Sequence, residues 1–123
     1  MKTMTKTEAY EMARLAREKY IMCLMEKLNR AITDTALRGG MCVEEEIQIN
    51  DPTELYCVTT WTEACEMSRK IVEEYKDFGY TADFQCMNTN KGELWCCFRI
   101  YWGNNVDEDF VPYWDWDKEE EEE

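Results

Sequence analysis

Any chemistry in this chain has to be done without histidine, because its 123 residues contain none. Ser-His and Cys-His nucleophile pairs are thereby excluded, along with the commonest metal ligand, leaving Cys, carboxylates, Lys and Tyr as the available groups. No glycine-rich phosphate loop, Cys-x-x-Cys pair or nucleophile elbow occurs. The cysteines are spread one per expected element, as Cys23, Cys42, Cys57, Cys65 and Cys86, with only Cys96 and Cys97 adjacent. Neighbours in a strand point to opposite faces, so Cys96 and Cys97 cannot ligate one ion together. The cysteines therefore read as small buried hydrophobes, with Cys97 on the outer face as the exception. Glu44-Glu45-Glu46 offers oxygen ligands to a hard cation, but alternation turns Glu45 away from the other two, which fits a solvated strand edge better. The expectation is a binding protein rather than an enzyme, with no catalytic residue, metal or cofactor.

Two sets of residues carry the types that dominate binding hot spots. Trp95, Arg99 and Tyr101 alternate with apolar residues in the last expected strand and so share its outer face with Cys97. Either a partner covers this face, or the first helix or a dimer mate does, leaving Arg99 to pair diagonally with Asp83. The second set lies in the acidic tail: Phe110, Tyr113, Trp114, Asp115, Trp116 and Asp117, followed by Lys118 and five glutamates. Solvating acidic tails are poor in aromatics, so this one is expected to dock, with its carboxylates steering the rings toward a basic groove. The alternative is a tail that packs on its own domain.

The elements that must position these residues follow from spacing. Thr5 and Glu8 form a capping box, and Ala9, Met12, Ala13, Ala16, Tyr20, Cys23, Leu24, Leu28, Ala31, Ile32 and Thr35 recur at helical steps up to Gly39-Gly40. Such a helix is about 50 Å long at 1.5 Å per residue, longer than so small a domain is wide, so part of it should protrude or bend. From Tyr20 to Met25 apolar residues go right round it, which a homodimer through this helix would cover.

Met41, Val43, Ile47 and Ile49 alternate with polar residues as a strand, with Glu45 the misfit. Residues 55–59 suit a short second strand, with a helix opening at Pro52 as the rival. Thr60 and Glu63 cap a second helix whose apolar face is Trp61, Ala64, Cys65, Ser68, Ile71, Val72, Tyr75 and Phe78. Two further strands then share a face, Tyr80, Ala82, Phe84 and Cys86 in one and Leu94, Cys96, Phe98, Ile100 and Trp102 in the other. Asn88 to Gly92 is the turn. Only an even-sum register keeps both sets on one side, and Phe84/Cys96 with Ala82/Phe98 are the expected pairs. The fold class is thus α+β: a long N-terminal helix, a small, mainly antiparallel sheet of three or four strands, and a second amphipathic helix packed on one face. Residues 1–106 form one domain and 107–123 the tail.

The formal net charge is -13. Residues 107–123 hold ten acidic residues and one basic, net -9, and the preceding chain is net -4. That surface repels phosphate backbones and anionic lipid, so neither duplex nucleic-acid nor membrane binding is expected. The longest apolar run is far too short to span a bilayer, and residues 1–8 lack the pattern of a leader, so a cytoplasmic location is expected.

Ala36-Leu37-Arg38-Gly39 closing a first helix, Phe78-Gly79-Tyr80 at a helix-to-strand junction and Ile100-Tyr101-Trp102 ending the last strand resemble the layout of small α+β proteins of tailed bacteriophages, over roughly residues 20 to 102. That group has no common activity. The resemblance implies a phage accessory protein that blocks or redirects a host or defence protein, in the host cytoplasm. With the charge pattern, it points to an acidic, aromatic tail or surface occupying a basic nucleic-acid or nucleotide site. One alternative is an oligomer sequestering a signalling nucleotide with Arg99, Arg14 or Arg17. Another is a virion or assembly component.

Overall fold

The computed structural model describes residues 3–50 and 60–104. Helix α1 runs Lys6–Leu37, strand β1 Cys42–Gln48, helix α2 Trp61–Asp77, strand β2 Thr81–Asn88 and strand β3 Leu94–Tyr101. This is the expected α+β class, with three strands among the described residues. The proposed strand at 55–59 and the tail from Asp107 lie outside them.

Both expected N-caps form. The Thr5 hydroxyl accepts from Glu8 N at 3.1 Å and the Thr60 hydroxyl from Glu63 N at 3.2 Å, satisfying backbone donors that the first helical turn leaves open. Helix α1 ends where Gly39 N and Gly40 N reach back to the carbonyls of Ala36 and Thr35.

The buried stripe of α1 is Tyr20, Leu24, Leu28 and Ile32, one residue per turn. The predicted face was longer. Ala9, Met12 and Ala13 keep the right spacing but are exposed, as is Cys23, because at about 48 Å the helix outruns the body it packs on. On α2 the buried residues are Ala64, Met67, Ser68, Ile71, Val72 and Tyr75. Met67 joins a face expected to include Trp61 and Phe78, which instead stand in water at the two ends.

Strand β3 lies between β1 and β2, antiparallel to both. The two helices lie on the face that carries Val43, Ala82, Cys96, Phe98 and Ile100, and these close one core with the α1 and α2 stripes. Tyr75 ties the helices together: its hydroxyl donates to Asn29 Oδ1 at 2.7 Å and lies 3.2 Å from the Met25 carbonyl oxygen.

The β2/β3 register corrects one expectation. Parity is as predicted, but the pairs are Ala82/Ile100, Phe84/Phe98 and Cys86/Cys96, two residues along from those expected. Pairing continues to Asn88/Leu94, and Thr89 N donates to the Glu93 carbonyl at 3.0 Å. The connection is therefore the short Asn90-Lys91-Gly92 loop, with Gly92 at φ 79°, a conformation L side chains avoid. Asn50 locks this loop to the end of β1, its amide donating to the Gly92 carbonyl and its Oδ1 accepting from Leu94 N, both at 2.8 Å.

Candidate functional site

The face of the sheet turned away from α1 and α2 is organised by β3. Its outward residues form rows across the three strands: Gln48, Trp95, Met87; then Glu46, Cys97, Gln85; then Glu44, Arg99, Asp83; then Cys42, Tyr101, Thr81. Arg99 sits at the centre of an acid-base-acid row, 9% exposed, and donates to Glu44 Oε2 at 2.9 Å. With the shifted register Asp83 stands directly opposite Arg99 rather than diagonal to it. The Asp83 carboxylate also accepts from Phe84 N at 2.8 Å. Opposite charges at directly facing positions stabilise a sheet, and here both edge strands supply the acid.

Of the three β3 residues expected to bind, Trp95 is half-buried while Arg99 and Tyr101 are buried, the latter 3% exposed. Tyr101 is approached by its own chain, since a Cβ at Gly103 would fall 2.7 Å from the ring carbon bearing the hydroxyl. A side chain at Gly103 would force the Tyr101 ring to shift. Among the described residues the exposed carboxylates on this face are Glu46 and the Arg99-paired Glu44. Cys97, expected to be accessible, is buried between them and β2, and burial first, then Glu46 and Glu44, push its thiol up to about 11. Phe110, Tyr113, Trp114, Asp115, Trp116 and Asp117 lie outside the described residues.

Two groupings escaped the sequence reading. At the end of the domain where β3 finishes, Ile32, Ala36, Phe78, Gly79, Tyr80 and Trp102 line a shallow apolar groove. Tyr75, Tyr80 and Trp102 stack edge to face, with centroids 5.6 and 6.3 Å apart. Phe78, 74% exposed, and Leu37, 82% exposed, belong to the same end. Ala36, Phe78-Gly79-Tyr80 and Trp102, from three separate segments of the chain, thus meet in space.

The second grouping is of thiols. Cysteines assigned to separate elements converge once the true register is in place. Cys86 and Cys96 Sγ lie 3.2 Å apart, and the Ser68 hydroxyl donates to Cys96 at 3.0 Å. Cys65, one turn before Ser68, is within hydrogen-bonding reach of Cys86. Its thiol is raised to about 11, chiefly by burial. The hydrogen bond from Cys86, and then that from Ser68, lower the Cys96 thiol, while the same contact with Cys96 raises Cys86. The inward position of both strand cysteines was readable; the register that pairs them was not. Among the described residues no cluster of three His, Cys, Asp or Glu side chains could hold a metal ion.

No described helix is long and apolar enough to cross a membrane. The chain has no significant match to a family model, to a curated protein or to a solved structure.

Proposed function

We propose that the chain is a non-enzymatic binding protein of phage origin that presents acidic and aromatic surface to a basic nucleic-acid or nucleotide site of a host or defence protein. The observation that carries this choice is the state of the arginines. Arg14 is engaged by Glu11 and Glu18, Arg17 by Glu63 and Arg99 by Glu44, all at 2.8 to 3.0 Å. These are the cations a nucleotide-sequestering oligomer would need. They are paired within the chain, and Arg99 on β3 belongs to a different element from Arg14 and Arg17 on α1. Anionic ligands therefore meet neutralised cations and a net charge of -13, whereas a basic partner meets unmatched carboxylate.

Residues 107–123, net -9, supply most of the net negative charge, and the described domain adds the Phe78, Tyr80 and Trp102 groove. An apolar patch together with a charged arm suits a contact in which carboxylates speed encounter and aromatics hold it. A second copy of the chain fits a different surface. The N-terminal turns of α1 carry exposed Tyr10, Met12 and Leu15, and this helix would join a homodimer.

The test is affinity purification from the native host with the full chain and with a chain ending at Asn105. The expected result is a partner held by the full chain, lost on truncation and released by added single-stranded oligonucleotide. Equal recovery by both forms would remove the tail from the mechanism.

A further inference from the structure

The thiol pair beneath α2 has the geometry of a bond waiting to form. In an antiparallel ladder, facing residues alternate between pairs that exchange backbone hydrogen bonds and pairs that do not, and side chains are closer in the second kind. Trp102 N donates to Met41 O and Ile49 N to Leu94 O. The even-numbered residues of β3 therefore direct their backbone groups to β1 and leave Cys86/Cys96 as a non-hydrogen-bonded pair of the β2/β3 ladder. Facing Cα atoms there lie about 4.5 Å apart, inside the window of roughly 4.4 to 6.8 Å that a disulfide spans. The sulfurs are already in contact at 3.2 Å, and the Ser68 hydroxyl, 3.0 Å from Cys96 and 3.8 Å from Cys86, holds both aimed at each other.

Access is asymmetric in a useful way. Cys96 is completely buried, whereas Cys86 and its neighbour Cys65 are half-buried. A reagent arriving from solvent meets Cys86 first.

We propose that Cys86 and Cys96 are a reversible redox site, oxidised to an intramolecular disulfide by a small-molecule disulfide. Cys86, passing its proton to the Cys96 sulfur 3.2 Å away, attacks one sulfur of the reagent, forming a mixed disulfide and expelling one thiolate, which takes that proton from Cys96. The Cys96 thiolate then attacks the Cys86 sulfur and expels the second. The protein gives up two electrons and two protons, and the reagent leaves as two thiols. Cys96 is suited to the second step because the Ser68 hydroxyl, which still donates to it at 3.0 Å when Cys86 is capped, favours the thiolate. The product staples β2 to β3 on the core side of the sheet, directly under Ser68 of α2.

The experiment uses the full chain, fully reduced and then exposed to glutathione disulfide, with remaining thiols blocked by iodoacetamide. Trypsin cleaves after Lys91, between the two cysteines, so mass spectrometry reads the linkage, and fragmentation separates Cys96 from Cys97. The expected linked peptides have together lost two hydrogens, join Cys86 to Cys96 with no glutathione on either, and separate with dithiothreitol. Cys96→Ser should stop at a glutathione adduct on Cys86, and Cys97→Ser should leave the link unchanged. In the wild-type chain, whose folding is not in question, a link of Cys86 to Cys65, adducts without a link, or full alkylation of both thiols would each overturn the proposal.

Discussion

Arg99→Met tests whether the acid-base-acid row holds the outer face together. Methionine keeps most of the aliphatic stem, so loss of charge rather than a cavity is what the substitution reports. Breaking a fully buried ion pair costs about 3 to 5 kcal/mol, and an exposed pair contributes about 0 to 1 kcal/mol. Here the Arg99 side chain is 11% exposed and that of Glu44 47% exposed, so the cost should fall between the two, at about 2 kcal/mol. Repulsion between the remaining carboxylates adds little. Glu44 and Asp83 flank β3 from two strand spacings, about 10 Å apart. At that distance the Coulomb term in water is roughly 0.4 kcal/mol. Urea unfolding of the wild type, Arg99→Met, Glu44→Gln and the double variant gives the cost and the coupling. The expected coupling is about 1 kcal/mol, because Arg99 keeps Asp83 opposite when Glu44 is neutralised. A methionine variant as stable as the wild type, with no coupling to Glu44, would refute the ion-pair reasoning.

Other outcomes follow from the same contacts. Tyr75→Phe removes the hydroxyl that reaches α1 while leaving exposed Asn29 to water, so it should cost about 1 kcal/mol, roughly 3 to 6 °C in a thermal melt. Thr60→Ala should lower global stability by about 1 kcal/mol. Thr5→Ala, which caps turns of α1 that touch no core, should instead lower helicity by circular dichroism and speed amide exchange there without moving the unfolding midpoint. Alkaline pH has a definite sign. Cys65 and Cys97 keep their protons to about pH 11 in the fold against an ordinary value of 9, so the folded chain binds more protons than the unfolded one in that window. The stability they contribute is complete below about pH 9 and lost as pH rises to about 11, and pH-stepped urea titrations should show that fall.

Local signals were the most legible part of the fold. Two capping boxes, the alternation in β1 and the helical spacing of α2 each specify an element without reference to the rest of the chain. Ambiguity began where distance enters. Ala9, Met12 and Ala13 have core spacing, but spacing cannot say where the body beneath a helix ends. The parity of the β2/β3 register follows from keeping apolar residues on one face, but the absolute register depends on the three-residue loop that Gly92 permits. That shift of two residues moved Asp83 opposite Arg99 and Cys86 opposite Cys96. The thiol pair was hidden for this one reason, and the ion row also required the pairing of β1 with β3 that sets Glu44 opposite Arg99. The aromatic groove stayed hidden because Tyr80 and Trp102 come from opposite edges of a pairing that sequence alone does not close.

The central claim is that the acidic aromatic tail competes for a basic nucleic-acid site. The direct measurement is fluorescence anisotropy of a labelled single-stranded oligonucleotide on the purified partner, titrated with the full chain and with the chain ending at Asn105. The account predicts displacement by the full chain and displacement at least about tenfold weaker by the truncated one, a difference of about 1.4 kcal/mol. Equal displacement by both, or none by the full chain, would contradict it.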